Sequence, residues 1–297
     1  MKKALVLGAS GQVGKYLCQL LASMNVEFLS PTSIELDLTN PIACREFYRR
    51  NTYDTIFNCA AFTDVDLANH MWSNAWKINT QGVFNVVEQL KNPSIKLVHV
   101  STDYVFGYHT PVLLDENKTP CPLNSYGFTK LHGEFPALLS GGCVLRTSAV
   151  YGVHGSCFPR SIILKTLGRA NQTVFEMSQG RTKPTWAKHL AEYMVQCVTL
   201  NVPSGLYHVA DKTEYSWSHW AHVVLNSVFT PEQYSVRPLE EHEENNPQRA
   251  CRPLYSVLDC SAIEKHGIIM KSISSEELES LIRVWLKEGR TLLHQHS

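Results

Sequence analysis

The chain has 297 residues, 44% of them hydrophobic and 18% charged, a globular composition and too long for one small domain. Lysine plus arginine and aspartate plus glutamate balance at 27 each, so no basic surplus points to nucleic acid or to an anionic membrane surface. Nine cysteines without a C-x-x-C pair or a zinc-like His/Cys cluster, an apolar run at Ala4 too short for a signal peptide, and no run near the ~18 residues of a membrane span predict a soluble cytoplasmic protein with reduced thiols and no metal site.

Lys3–Leu7 is a short apolar, β-capable run, followed by Gly8, Gly11 and Gly14 at G-x-x-G-x-x-G spacing and an amphipathic stretch to about residue 24. Strand, glycine turn and helix in that order are the setting of a dinucleotide fingerprint. Gly8 serves the tight turn, Gly11 the close approach of a pyrophosphate, and Gly14 the packing of helix on strand. The second strand, over 27–30, ends without the Asp or Glu that would select NAD and without the Arg that would select NADP. Ser30, Thr32 and Ser33 suit either ribose. Asp37 is a candidate for the adenine edge or a cap for a helix over Pro41–Arg50. Residues 55–61 read as a buried parallel strand ending in Ala60 and Ala61, small residues that leave room for a flat cofactor. Asp64 and Asp66 follow as loop and helix-start acids, then a helix carrying Trp76 towards Leu90.

A strand over 95–100 places Ser101, Thr102 and Asp103 at its C-terminal end, where open α/β sheets carry their chemistry. Ser101 and Thr102 point to opposite faces of an extended chain, so only one can reach a substrate. Tyr126 and Lys130, four apart, share a face if 124–134 is helical, and an ammonium beside a phenol lowers its pKa. That pair suits proton donation to an alkoxide. Another strand over 143–146 leads into Ala149 and Tyr151, and the alternation of strands with helices predicts an α/β fold of Rossmann type, a doubly wound parallel sheet. Beyond 153 come a helix over 161–171, a basic loop over 179–186, a long amphipathic helix over 187–200 and a strand over 205–210 that returns to the sheet. A helix at Trp217 and Trp220, an exposed loop over 240–248, and a terminal helix over 275–287 complete the chain. His208, on an apolar strand, reads as a core histidine. The predicted division is a dinucleotide-binding domain over 1–153 that also receives 186–210, with 154–185 and 211–297 as a smaller interleaved substrate lobe.

The glycine turn, Ser101-Thr102-Asp103-Tyr104-Val105-Phe106 and Tyr126-Gly127-Phe128-Thr129-Lys130 resemble the extended short-chain dehydrogenase/reductases. More narrowly, the stretches 58–66, 146–152, 184–185 and 205–208, with Arg252-Pro253, Ser256 and Leu258-Asp259, resemble the dTDP-4-dehydrorhamnose reductase family. The resemblance implies reduction of the 4-keto group of a nucleotide-linked 6-deoxysugar by NADPH or NADH, with NADPH favoured. It implies catalytic Thr102, Tyr126 and Lys130, with Thr102 rather than Ser101 holding the reacting oxygen. The implied cofactor contacts are Gly8, Ser10, Gly11, Gln12, Val13, Gly14, Asp37, Leu38, Ala60, Ala61 and Thr63, besides Tyr126 and Lys130. Val65, Thr102, Asp103, Tyr104, Ala149 and Arg252 are the implied substrate contacts; Ala149 stands where the family generally carries tryptophan. Arg181, Lys183 and Arg252 are candidates for a diphosphate clamp or for solvated loop cations. A homodimer is possible. Two alternative roles on the same scaffold are a regulatory subunit like that of methionine adenosyltransferase and a nucleotide-sugar epimerase holding NAD tightly.

Overall fold

The computed structural model describes residues 1–90, 92, 94–169, 171–239 and 249–295, so the loop expected over 240–248 lies outside the described residues. From the N-terminus, β1 (Lys3–Leu7), α1 (Gln12–Ser23), β2 (Glu27–Leu29), α2 (Pro41–Arg50), β3 (Thr55–Asn58) and α3 (Val65–His70) alternate as expected. A long helical segment follows in three pieces, α4 (Trp72–Trp76), a π-helical turn over Lys77–Gln81 and α5 (Gly82–Val87). Then β4 (Lys96–Thr102) runs into a 3-10 turn over Asp103–Val105, the short β5 (Leu113–Leu114), α6 (Ser125–Leu139) and β6 (Cys143–Thr147). The second half holds α7 (Phe158–Thr166), β7 (Thr173–Met177), β8 (Arg181–Thr182), α8 (Ala187–Thr199), β9 (Gly205–His208), β10 (Tyr215–Ser216) and α9 (Trp217–Leu225). It ends with β11 (Tyr234–Pro238), β12 (Tyr255–Leu258), α10 (Ser261–Glu264) and α11 (Ser275–Gln295).

Six strands pair in parallel in the order β2–β1–β3–β4–β6–β9. Because both faces are covered, β3 and β6 are buried at every position, and period-two alternation sends neighbours to opposite cores. Ala4, Val6, Phe57 and Val98 meet α1 and α8 on one face; Leu5, Leu7, Ile56 and Leu97 meet Cys44, Val83, Val86 and Ala137 from the helices on the other. The strand order reverses between β1 and β3, which opens a crevice beyond their carboxyl ends. A separate core built on Tyr151, Ile162, Phe175, Trp220 and Trp285 holds the second lobe, and the Trp285 indole N–H donates to the Gly152 carbonyl at 3.1 Å, tying the terminal helix to the sheet lobe.

Two expectations are corrected here. Asn40, not Asp37, caps α2: its Oδ1 accepts from the Ile42 and Ala43 N–H groups at 3.0 and 3.1 Å, whereas Asp37 Oδ1 turns back on Thr39. The helix expected over 161–171 spans Phe158–Thr166, since Pro159 fits its first turn. The sequence reading also had no β7–β11 pair: β11 ends in Pro238, which is tolerated because the two-stranded sheet has only edges.

Candidate active site

The carboxyl end of β4 separates Ser101 from Thr102 as its pleat requires. Ser101 Oγ donates to Glu134 Oε1 at 2.5 Å, and the same carboxylate receives Arg146 through Nε and Nη2 at 2.8 and 2.7 Å. Ser101 is thereby committed to a buried network between α6 and β6. Thr102 turns the other way, where its Oγ1 accepts from the Tyr104 N–H at 3.2 Å and donates to Asp103 Oδ1 at 3.1 Å, on the side of the Tyr126 phenol. His208 is a core residue: its Nδ1 meets the Leu114 carbonyl at 2.9 Å, and burial pushes the ring down to about 4.

Tyr126 is delivered by the first turn of α6. Asn124 caps that helix by accepting from the Gly127 N–H at 2.8 Å, and any Cβ on Gly127 would strike the Tyr104 carbonyl, so this glycine lets helix and 3-10 turn touch. The Tyr104 and Tyr126 rings meet edge-on at 5.6 Å. Lys130, one turn on, is buried and donates to the Val100 carbonyl at 2.6 Å. Burial pushes its ammonium down to about 8, opposed by Glu134 and Cys59. The expectation that this ammonium acidifies Tyr126 is corrected: burial raises the Tyr126 phenol, the nearby Thr102 hydroxyl is the opposing influence, and Lys130 is engaged by the backbone instead.

The crevice between β1 and β3 is shaped for close backbone approach. Gly8 sits at φ +75°, and a Cβ there would fall 2.6 Å from the Ala60 nitrogen; one on Gly14 would run into the Gly8 carbonyl. The first turn of α1 has neither a side-chain cap nor an acid, which leaves its N–H groups and dipole facing the crevice beside Ser10, Gly11, Gln12 and Val13. Gln12 Nε2 donates to the Ser156 carbonyl at 3.0 Å, while its buried Oε1 has no partner among the described residues. This is a cradle that fits a dinucleotide pyrophosphate. Leu38, next to Asp37, is held through its carbonyl by Asn85 Nδ2 at 2.7 Å. Ala60 and Ala61 follow β3, and the loop to Thr63 is pinned by Asn79, which pairs with the Phe62 N–H and carbonyl at 2.8 and 3.1 Å. Glu35 contacts the Thr32 N–H and hydroxyl at 2.8 and 2.9 Å, so a carboxylate stands in the loop after β2 where the strand end itself has none.

A cavity of about 870 Å³ opens between the lobes. Asp103, Tyr104, Asp66 and Arg252 line one side, with Lys165, Arg169, Arg237 and Arg249 also in its walls. Thr102 and Tyr126 contact Asp103 and Tyr104 of that wall. Arg252 is held by Asp66 Oδ2 at 2.9 Å, and Asp66 also accepts from the Ala250 N–H at 2.8 Å. Val65 begins α3 next to Asp66. Ala149, at φ +44°, is not among the residues lining this cavity. Nor are Arg181, paired with Glu214, and Lys183, which donates to the Leu258 carbonyl at 2.8 Å; both serve the joint around β8 and β12. The Glu134–Arg146–Ser101 network, Asn79 and the α7 cations were missed, because each acts across a sequence separation that no local pattern marks.

The protein-family model described as RmlD substrate binding domain matches residues 1–285. The chain belongs to the dTDP-4-dehydrorhamnose reductase family. It is 32% identical over 267 residues to a dTDP-4-keto-6-deoxy-D-glucose reductase of Streptomyces niveus, covering 89% of this chain and 91% of that one. It is 31% identical to the dTDP-4-dehydrorhamnose reductase of Mycolicibacterium smegmatis, over 90% and 81% of the two chains. The crystal structure of dTDP-4-dehydrorhamnose reductase from Bacillus anthracis in complex with NADP superposes with a TM-score of 0.84 at 27% identity, over 96% of this chain and 99% of that one. A UDP-glucose 4-epimerase of Thermus thermophilus, at 17% identity and a TM-score of 0.79, shares the fold.

Proposed function

We propose that the protein reduces the 4-keto group of a nucleotide-linked 6-deoxysugar with NADPH or NADH. The observation that carries this reading is the junction of Thr102, Tyr126 and Lys130 at the carboxyl end of β4, between a pyrophosphate cradle and the interlobe cavity. The bound nicotinamide supplies the hydride. Tyr126 gives its proton to the carbonyl oxygen, Thr102 holds that oxygen by a hydrogen bond, and Lys130 bonds the nicotinamide ribose. Positioned donors of this kind are worth roughly 2.7–4 kcal/mol of barrier each. Gly8, Ser10, Gly11, Gln12, Val13 and Gly14 hold the pyrophosphate, Asp37 and Leu38 the adenine end, and Ala60, Ala61 and Thr63 the space between. Val65, Asp103, Tyr104, Ala149 and Arg252 are the residues for the sugar nucleotide. Residues 1–153 with 186–210 form the cofactor domain, and 154–185 with 211–297 the substrate lobe.

The test is turnover: purified protein oxidises NADPH or NADH in step with a dTDP-4-keto-6-deoxysugar, followed at the nicotinamide absorbance. Binding without turnover across a panel of such sugars would overturn the reading. The regulatory and epimerase alternatives are not favoured, since Thr102, Tyr126 and Lys130 are all present and assembled, and the likeness to an epimerase is one of fold.

The nine cysteines are all unpaired, which supports a reducing cytoplasmic setting, and among the described residues no helix is long and apolar enough to cross a membrane. We further propose a homodimer through the outer face of α4–α6. The charged residues of α6, Lys130 and Glu134, are both buried, so its outward side carries no formal charge. Phe128, Phe135 and Leu139 stand there beside Trp72, stacked on Trp76, and Phe84, with the four aromatic rings Phe128, Phe84, Trp72 and Phe135 between 39% and 53% exposed. About half of the 150–250 Å² of each ring, with Leu139 added, comes to roughly 400–600 Å² of apolar surface. A standard homodimer contact takes about 800 Å² per partner, about 65% of it apolar. A second copy of the same face, related by a two-fold axis, satisfies that demand. Light scattering should give two copies for the wild type and one for Phe135→Glu/Leu139→Glu with an unchanged melting temperature; a monomeric wild type refutes the face as an interface.

A further inference from the structure

Thr102 has one hydrogen to give and two lone pairs to fill. One lone pair is taken by the Tyr104 N–H at 3.2 Å, and Asp103 Oδ1 stands 3.1 Å from Oγ1. The other oxygen of Asp103, Oδ2, accepts from Ser256 Oγ of β12. A carboxylate can only accept. With Asp103 ionised, Thr102 therefore donates to Oδ1 and has no hydrogen aimed at a substrate carbonyl. With Asp103 protonated on Oδ1, the polarity reverses: Asp103 donates to Thr102, and the Thr102 hydrogen is released outward.

Resting on the reductase reading above, we infer that Asp103 is a positioning residue that sets the direction of the Thr102 hydroxyl, its neutral form being the one that aims Thr102 at the reacting oxygen. No proton leaves Asp103 in this scheme. Hydride goes to the carbonyl carbon, the Tyr126 proton to the oxygen, and the Asp103 proton is only shared as a hydrogen bond.

The surroundings shift Asp103 towards the neutral form. Burial pushes Asp103 up to about 6 against the hydrogen bonds from Ser256 and Thr102. Tyr104 on its own turn and Tyr126 from α6 are both raised by burial and so uncharged at neutral pH. Asp66 of α3 and Arg252 of the C-terminal lobe pair with each other beside Tyr104. Asp103 lines the interlobe cavity, so a sugar filling it removes more water and moves the acid further in the same direction.

Asp103→Asn separates the outcomes. Asparagine keeps the shape, can present its Oδ1 to Ser256, and directs a permanent N–H donor at Thr102. The expected result is a wild-type kcat that falls about tenfold per pH unit above the Asp103 midpoint, and an Asn variant whose kcat, at whatever level it stands, has lost that limb. A wild-type kcat flat from about pH 5 to 8.5, or an Asn variant with the same limb, overturns the inference. The ¹³C signal of the Asp103 carboxyl decides it without turnover or variant: a midpoint near or above about 6 supports it, and one at the ordinary value of about 3.9 overturns it. Failure of the reductase reading is seen separately, as wild-type protein that turns over none of the sugars.

Discussion

Tyr126→Phe is expected to lower kcat and kcat/KM alike, by about 10²–10⁴-fold, with cofactor and sugar nucleotide still bound. The phenyl ring keeps its edge-on contact with Tyr104 at 5.6 Å, so what is removed is the hydroxyl alone. In the proposed reaction that hydroxyl acts only when charge develops on the substrate oxygen, which is why KM should hardly move. Burial raises the phenol above its ordinary value, so it stays protonated and able to donate across the neutral range. Steady-state rates with NADPH and NADH, beside cofactor titration by fluorescence, check both halves. A variant with wild-type kcat would remove Tyr126 as the proton donor.

Glu134→Ala should cost about 3–5 kcal/mol of unfolding free energy, because it strands a buried charge. The Arg146 and Glu134 side chains are 2% and 3% exposed, and their bidentate contact also takes the Ser101 hydroxyl. With the carboxylate gone, the Arg146 guanidinium keeps the face of Phe106, 4.9 Å from the ring centre, and Ser101 loses its acceptor. Replacing the pair together, as Glu134→Leu/Arg146→Met, should cost far less than the sum of the single changes, as a urea double-mutant cycle will read. The carboxylate has a second effect, since it supports the Lys130 ammonium against burial. Its loss drops the Lys130 pKa further below about 8, so cofactor binding should weaken on the alkaline side first.

The parts of the candidate site whose geometry is legible in the sequence are those built by consecutive residues. Gly8 to Gly14, the strand running to Thr102, and the Tyr126–Lys130 spacing each declare their geometry within one turn or one strand, and the structure places all three at the same end of the sheet. Charge environment was not legible in that way. The spacing put Lys130 on the Tyr126 face, yet the carbonyl that captures its ammonium belongs to Val100, on another element. Arg181 and Lys183 looked like anion ligands as a basic loop, but Glu214 and the Leu258 carbonyl, both distant in sequence, claim them. β7 escaped notice because its partner, β11, lies far along the chain and ends in proline.

The order of the sheet has a consequence during synthesis. Strand β9, which pairs with β6, leaves the ribosome only after the whole stretch carrying α7, β7, β8 and α8. Until then β6 is an open edge, and α1 lacks the helix that packs over it. A fragment ending near residue 153 would expose both, a strand template beside bare apolar surface, and would invite self-association rather than stand as a small cofactor-binding protein. The two lobes are therefore inseparable by simple truncation, and the nascent chain is most vulnerable in the interval between β6 and β9.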